Sequence, residues 1–115
     1  MPHIIFECSE QIATTLPFKE LAPKIHQFLT DTLPTEYANC KTRMISSSQY
    51  LIGNNPKQNF LHLTLKILPG RSPEIKNKVA HTLLEMLNQT ISLSNVSLTL
   101  EIIEIDTNNY FKLNK

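Results

Sequence analysis

The chain contains the same order of predicted elements twice, and this repeat constrains the fold more than any other feature of the sequence. Each unit has an apolar strand, an amphipathic helix and a second strand, and the two units span residues 2–52 and 60–105. The segment GNNPKQN between them, residues 53–59, has the Gly, Asn and Pro content of a linker. A helix that links two neighbouring parallel strands crosses over in the right-handed sense.

The first unit begins with HIIFECS, residues 3–9, whose loose alternation predicts a strand that is partly covered on both faces. Apolar residues between positions 18 and 33 then follow helical spacing. Because proline in a helix interior removes a hydrogen bond and clashes with the preceding turn, we expect the regular helix to begin near Leu21, with Pro23 in its first turn. The segment CKTRMISSSQYLI, residues 40–52, predicts a strand of more than average length.

The second unit has the stronger signals. In FLHLTLKIL, residues 60–68, polar and apolar side chains alternate, which predicts a strand with one buried face. Ser72 and Pro73 precede an apolar stripe of helical period, and these residue types are favoured at the N-cap and at the first helical position. VSLTLEIIEI, residues 96–105, predicts the last strand.

Together the units predict an α+β fold in which a four-stranded sheet carries two helices on one face. A chain of 115 residues has the size of a single domain, here residues 1–115 with a short tail over 106–115. The other face of the sheet is then bare, which is a liability for a monomer. We expect this face to pack against further copies of the chain.

Composition excludes several classes of partner. The net charge is +1 and the 11 Lys and Arg residues are scattered, so we expect no nucleic-acid partner. No apolar run approaches the length of a signal peptide core or a membrane span, so we expect no membrane partner either. Cys8 and Cys40 lack metal-ligand spacing and are interpreted as reduced thiols of a cytoplasmic protein without a metal site.

Three segments carry a resemblance to a known family. MPHIIFECS, LHLTLKILPGRS and LTLEIIEID resemble the 5-carboxymethyl-2-hydroxymuconate isomerase branch of the tautomerase superfamily. The resemblance covers residues 2–105, and residues 35–59 align only loosely. It implies a trimer whose sheets line a central core. It also implies a cofactor-free isomerase whose substrate is a small, unsaturated, multiply carboxylated enol or keto acid, such as 5-carboxymethyl-2-hydroxymuconate.

The resemblance implies that Pro2, exposed when Met1 is removed, is the acid/base catalyst. An α-amino group ionises near pH 8, and burial and nearby cations both lower the pKa of such a group. Arg71 follows the strand that we expect to run antiparallel beside the first strand, which predicts that it lies next to Pro2. The resemblance implies that it binds a substrate carboxylate. Arg43 resembles the second arginine of the superfamily site and would serve a neighbouring subunit. Lys41, on the same strand face, is the alternative to Arg43.

The remaining polar residues are weaker candidates. His3 and His62 could face a pocket, although strand histidines are more often solvated or hydrogen-bonded structure. His26 and His81 fall on predicted helices and are interpreted as surface residues. Ser46–Ser48 have no paired base, which argues against a serine nucleophile.

A second function class stays open at this point. The order β-α-β-β-α-β also fits a ferredoxin-like fold, and sequence order alone does not separate the two topologies. The alternative is therefore a non-catalytic, oligomeric binding module with an unprocessed N-terminus. Within the enzyme class, other proline-based tautomerases and a dehalogenase are further alternatives.

Overall fold

A computed structural model describes all residues from Met1 to Lys115. The chain forms four strands and three α-helices. In chain order these are β1 His3–Ser9, α1 Glu10–Thr15, α2 Phe18–Thr32, β2 Lys41–Ser47, β3 Asn59–Ile67, α3 Pro73–Thr90 and β4 Val96–Glu104. Single 3-10 turns cover Tyr37–Asn39 and Thr107–Asn109.

The four strands form one mixed sheet in the order β2-β1-β3-β4. Within each unit the two strands are parallel, and the central pair, β1 and β3, is antiparallel. His3 pairs with Lys66, so the start of β1 lies beside the end of β3. The predicted four-stranded α+β architecture is confirmed, and the register brings the two ends that carry Pro2 and Arg71 together.

The helices pack on one face of the sheet and enclose the core. Alternate residues of the two central strands are fully buried on this face, as are the apolar stripes of α2 and α3. The core side chains with no exposure are Ile4, Phe6, Cys8, Ile12, Ile25, Leu29, Leu61, Leu63, Leu65, Leu83 and Leu87. Burial of aliphatic and aromatic side chains, at about 1.5–3 kcal/mol for each, is the main source of stability.

The opposite face, here called the open face, carries no helix. Its side chains come from the other set of alternate positions, including His3 and Glu7 on β1, Arg43 on β2 and His62 on β3. Several of these polar groups bond across the strands, and Arg43 bonds to His3 in this way. For example, the ring of His62 lies 2.9 Å from a carboxylate oxygen of Glu101. The open face is therefore a flat polar surface, with exposed apolar side chains on the outer strands.

Helix α2 begins earlier than its proline predicts. It starts at Phe18 rather than near Leu21, and Pro23 lies inside it. Pro23 has no N–H to donate to the carbonyl four residues earlier, which costs about 3 kcal/mol or more in a helix interior. The buried side chains on both sides of Pro23, among them Leu21 and Ile25, offset that cost by packing into the core.

Two further elements differ from expectation. The sequence did not predict helix α1, which has six residues. A helix this short is stabilised by the burial of Ile12 rather than by helix propensity. Strand β2 ends at Ser47 instead of continuing to residue 52. Leu51 is 65% exposed, so the last residues of the predicted strand do not pack into the core. For α3 the prediction is confirmed, since the Ser72 hydroxyl oxygen accepts a hydrogen bond from the Ile75 N–H at 3.2 Å.

Candidate active site

Pro2 is buried at the start of β1. Its carbonyl oxygen accepts a hydrogen bond from the Lys41 N–H at 3.1 Å, which continues the parallel β1–β2 ladder to the end of the chain. On its other side, the antiparallel register of β1 and β3 places the end of β3 next to it. Both neighbouring strands thus fix the position of Pro2.

A cavity of about 270 Å³, which includes space open to solvent, lies at this end of the sheet. Half of its lining residues are apolar, and the rest of the lining carries a cation, a hydroxyl and two prolines. The lining residues are Met1, Pro2, Leu33, Pro34, Thr35, Ile67, Leu68 and Arg71. The cavity thereby combines residues from the start of β1, the segment after α2 and the turn after β3.

Arg71 reaches the cavity through the turn between β3 and α3. Gly70 has a φ of 112°, which L side chains rarely adopt, and this conformation turns the chain toward the helix. The Arg71 Nη1 group donates to the carbonyl oxygen of Pro69 at 3.3 Å. Its Nε atom is buried and has no hydrogen-bond partner. A buried, unpaired guanidinium N–H is costly, and an oxyanion is the partner that it binds best.

The surroundings of the chain terminus disfavour a positive charge. Burial lowers the pKa of the Met1 amino group from its ordinary value of 8.0, and the ammonium groups of Lys41 and Lys112 lower it further. Lys112 belongs to the C-terminal tail, where its Nζ donates to the Asn39 side chain at 3.0 Å. The tail therefore adds a second lysine near the cavity.

Arg43 does not line the cavity. It lies on the open face, where its Nη1 is 2.9 Å from Nδ1 of His3. The other ring nitrogen of His3 is 3.1 Å from the Tyr110 hydroxyl. Burial lowers the pKa of His3 from its ordinary value of 6.5, and the neighbouring cations, Arg43 first, lower it further.

Lys41 is exposed on the same strand, one rung closer to Pro2. Its Nζ donates to the carbonyl oxygen of Asn39 at 3.4 Å. Of the four residues predicted for the site, the structure thus brings Pro2 and Arg71 into one cavity. It leaves Lys41 and Arg43 on the open face beside it.

Sequence reasoning missed three residues in this region: Thr35, Tyr110 and Lys112. None belongs to a periodic pattern or a motif, and all lie in irregular segments that only the folded chain brings to the start of β1. The interpretation of His26 as a surface residue is wrong. It is half-buried, and its Nε2 lies 2.6 Å from the Thr42 hydroxyl. A helical wheel does not reveal this contact, because the partner is on β2.

No group of three or more His, Cys, Asp or Glu side chains converges to hold a metal ion. Both cysteines are buried thiols, and burial raises the pKa of each. None of the helices combines the length and the apolar character needed to cross a membrane.

Comparison with known structures supports the same architecture. A 5-carboxymethyl-2-hydroxymuconate isomerase from Deinococcus radiodurans R1 is 24% identical, with a TM-score of 0.85 over 99% of this chain and 90% of that one. A 5-carboxymethyl-2-hydroxymuconate delta-isomerase is 14% identical, with a TM-score of 0.85 over 99% of this chain and 89% of that one. A fused 4-OT symmetric trimer is 16% identical, with a TM-score of 0.68 over 94% of this chain and 91% of that one. At these identities the likeness establishes the fold.

The family follows from the sequence. A search of curated proteins found no match to this chain. The family model described as 5-carboxymethyl-2-hydroxymuconate isomerase, however, matches residues 2–115. Because that match covers nearly the whole chain, the protein belongs to the 5-carboxymethyl-2-hydroxymuconate isomerase family and is an isomerase with the tautomerase fold.

Proposed function

We propose that the protein is a cofactor-independent tautomerase in which Pro2, freed by removal of Met1, transfers a proton within an unsaturated di- or tricarboxylated enol or keto acid. A compound such as 5-carboxymethyl-2-hydroxymuconate is the expected substrate. The observation that carries the proposal is the shared cavity of Pro2 and Arg71, in which the Arg71 Nε has no partner. That cation and the family both favour a carboxylated substrate.

The proposed reaction has two proton transfers. The uncharged Pro2 nitrogen takes the proton of the substrate's enol hydroxyl, so the O–H bond breaks, an N–H bond forms and a dienolate remains. The same nitrogen then returns the proton to a remote carbon, which forms a C–H bond and leaves the oxygen as a carbonyl. One group acts first as base and then as acid, which requires a pKa close to the working pH.

The local charges support such a pKa. The position is buried, and Lys41 and Lys112 lie near the terminus, the same features that lower the pKa of the Met1 amino group. Each disfavours an ammonium ion. A lowering of one pKa unit corresponds to about 1.4 kcal/mol, so a few such effects bring a secondary amine into the neutral range.

We propose that Arg71 binds a substrate carboxylate from within the subunit and that Arg43, with Lys41 beside it, does so for a neighbouring subunit of a homotrimer. Arg43 lies on the open face, outside the cavity of its own chain. The open face has no cover, and on its outer strands Ile45 is 52% exposed and Ile103 37% exposed. Packing between copies would bury these side chains and bring Arg43 to a second cavity. We expect the protein to be cytoplasmic, since both cysteines of the chain, Cys8 and Cys40, are free thiols.

The decisive experiment compares two forms of the same chain. Intact mass identifies the protein with and without Met1, and ketonisation of 5-carboxymethyl-2-hydroxymuconate is then followed for each. We expect turnover only from the form that begins at Pro2, since an amide nitrogen is not basic. In the processed form, Pro2→Ala leaves a primary amine and should reduce turnover without abolishing it. Equal turnover by both forms of the chain would reject Pro2 as the catalyst.

Subunit mixing tests the role of Arg43. Arg43→Ala and Arg71→Ala variants are each expected to have little activity. If Arg43 serves a neighbouring cavity, trimers assembled from both variants contain some sites with both arginines, and activity returns on mixing. If no mixture regains activity although mixed trimers form, Arg43 does not act across the interface.

A further inference from the structure

The hydroxyl of Thr35 makes the one side-chain hydrogen bond to the N-terminal residue. Its Oγ1 donates to the carbonyl oxygen of Met1 at 2.9 Å. That carbonyl is the acyl group on the Pro2 nitrogen, so the contact lies next to the atom to which the proposed catalysis is assigned. Thr35 also lines the cavity that holds Pro2 and Arg71.

The backbone holds Thr35 in place. It follows the end of α2 by three residues, and its N–H donates to the carbonyl oxygen of Leu33 at 2.8 Å. Leu33 is buried in the core, and the Thr35 side chain is half-buried. The hydroxyl is thus presented to the cavity by a hydrogen-bonded turn next to the buried Leu33.

The Met1 carbonyl oxygen lies close to the place where a substrate oxygen must bind in order to exchange a proton with Pro2. A peptide C–N bond of about 1.33 Å and a C=O bond of about 1.23 Å place this oxygen roughly 2.3 Å from the Pro2 nitrogen. An enol oxygen that hydrogen-bonds to that nitrogen lies about 2.7–3.2 Å from it, on the side that Met1 vacates, and therefore near the position of this carbonyl oxygen. Removal of Met1 leaves the Thr35 hydroxyl without this partner, while the backbone hydrogen bond from Thr35 to Leu33 does not involve Met1.

We propose that Thr35 is a further catalytic residue, whose hydroxyl donates a hydrogen bond to the reacting 2-oxygen of the substrate. This inference rests on the proposed function, because it requires Pro2 to be the proton carrier. The bond strengthens as the enol O–H proton moves to Pro2 and negative charge develops on the oxygen, and it persists when that oxygen becomes a carbonyl. Arg71 binds a carboxylate, so the two donors distinguish a keto acid from a simple dicarboxylate.

The test uses the processed protein with Thr35→Val, which keeps the shape and removes the hydroxyl, and Thr35→Ser, which keeps the hydroxyl. Loss of one neutral donor to a developing oxyanion should lower kcat by roughly tenfold or more. Thr35→Ser should retain most of the activity. Intact mass confirms removal of Met1 in each variant, and thermal melting confirms that each is folded.

Binding of two inhibitors separates catalytic contact from a merely structural role. 2-Oxoadipate has the keto oxygen, whereas adipate has the same carboxylates without it. Thr35→Val should weaken binding of 2-oxoadipate by roughly tenfold, the size of one net hydrogen bond, and leave adipate binding unchanged. Equal weakening of both inhibitors, or an unchanged kcat, overturns the inference.

Pro2→Ala, assayed in parallel, keeps the two proposals apart. If Pro2→Ala reduces turnover and Thr35→Val does not, the function stands and the role of Thr35 is wrong. If Pro2→Ala has full activity, the proposed function itself fails.

Discussion

The two ends of the central β1–β3 pair have equivalent places in the repeat, yet their polar groups are arranged in opposite ways. At one end Pro2 and Arg71 line a cavity, and the Arg71 Nε has no partner. At the other end Asn59, the first residue of β3, is buried in a closed network. The Ser9 hydroxyl donates to its side-chain oxygen at 2.8 Å, and its amide donates to the Gln11 side chain at 3.1 Å.

The difference shows how one architecture supplies both stability and a site. A buried polar group that is fully paired stabilises its end of the sheet, because breaking the pair leaves a desolvated donor or acceptor. A buried polar group without a partner costs stability and is free to bind a ligand. We call the two regions the closed end, with Ser9, Gln11 and Asn59, and the open end, with Pro2 and Arg71. Mutations at the closed end should change the free energy of unfolding, whereas mutations at the open end should change the activity.

The largest effect is expected at the open end. Arg71→Ala should lower kcat/KM by roughly 10²–10³-fold, because removing one partner of a buried charge pair, here with the substrate carboxylate, costs about 2–5 kcal/mol. Stability should change little, since no partner of the Nε atom is lost. Lys78→Ala, which removes an exposed cation from α3, is the matched control and should retain full activity. An Arg71→Ala enzyme with normal kinetics would show that the unpaired Arg71 Nε atom contributes neither to substrate binding nor to catalysis.

The closed end should behave in the reverse way. Asn59→Ala leaves the Ser9 and Gln11 side chains without their buried partner, which should cost about 1–3 kcal/mol of the free energy of unfolding. Urea denaturation at one fixed protein concentration measures this, because an oligomer's stability depends on concentration. The folded variant should keep its kcat. Asn88→Ala, on the exposed side of α3, serves as the control. A fall in kcat with unchanged stability would mean that the two ends are not divided in this way.

Sequence patterns predicted the regular elements of the molecule better than its irregular segments. The strand order, the cap at Ser72 and the approach of Arg71 to Pro2 follow from alternation, helix signals and the antiparallel pairing of the two units. These are local or symmetric rules, and they act on regular elements. They therefore predicted the part of the cavity that is formed by β1 and by the turn between β3 and α3.

Such rules could not predict the remaining residues in and around the cavity. Thr35 and Lys112 lie in irregular segments, and their positions depend on where α2 and β4 end. Pro23 misled the prediction of α2 because core burial outweighed its helix-breaking cost. The contact of His26 with Thr42 is tertiary and leaves no periodic trace. Core packing outweighed helix propensity in α2, and propensity makes no prediction for irregular segments.

The smallest expected effect concerns pH, and it extends the comparison of the two ends. The side chains of the closed end are neutral amides and a hydroxyl, whereas His3 lies beside the open end, next to Arg43, Lys41, Lys66 and the chain terminus. Burial and these cations lower its folded-state pKa below the ordinary 6.5. Between the two pKa values the unfolded chain binds more protons, so the free energy of unfolding should fall as the pH drops below 6.5.

Urea denaturation of the wild type at about pH 5 and about pH 7.5 should show lower stability at the acidic value, and His3→Gln should reduce the difference. It should not remove the difference entirely, because burial also lowers the pKa of His26. His81→Gln, exposed on α3, is the matched control and should leave the difference as it is in the wild type. If His3→Gln and His81→Gln give the same dependence as the wild type, the charge around the open end does not act on His3. The cations beside His3 would then act only on the bound substrate and not on the stability of the folded chain.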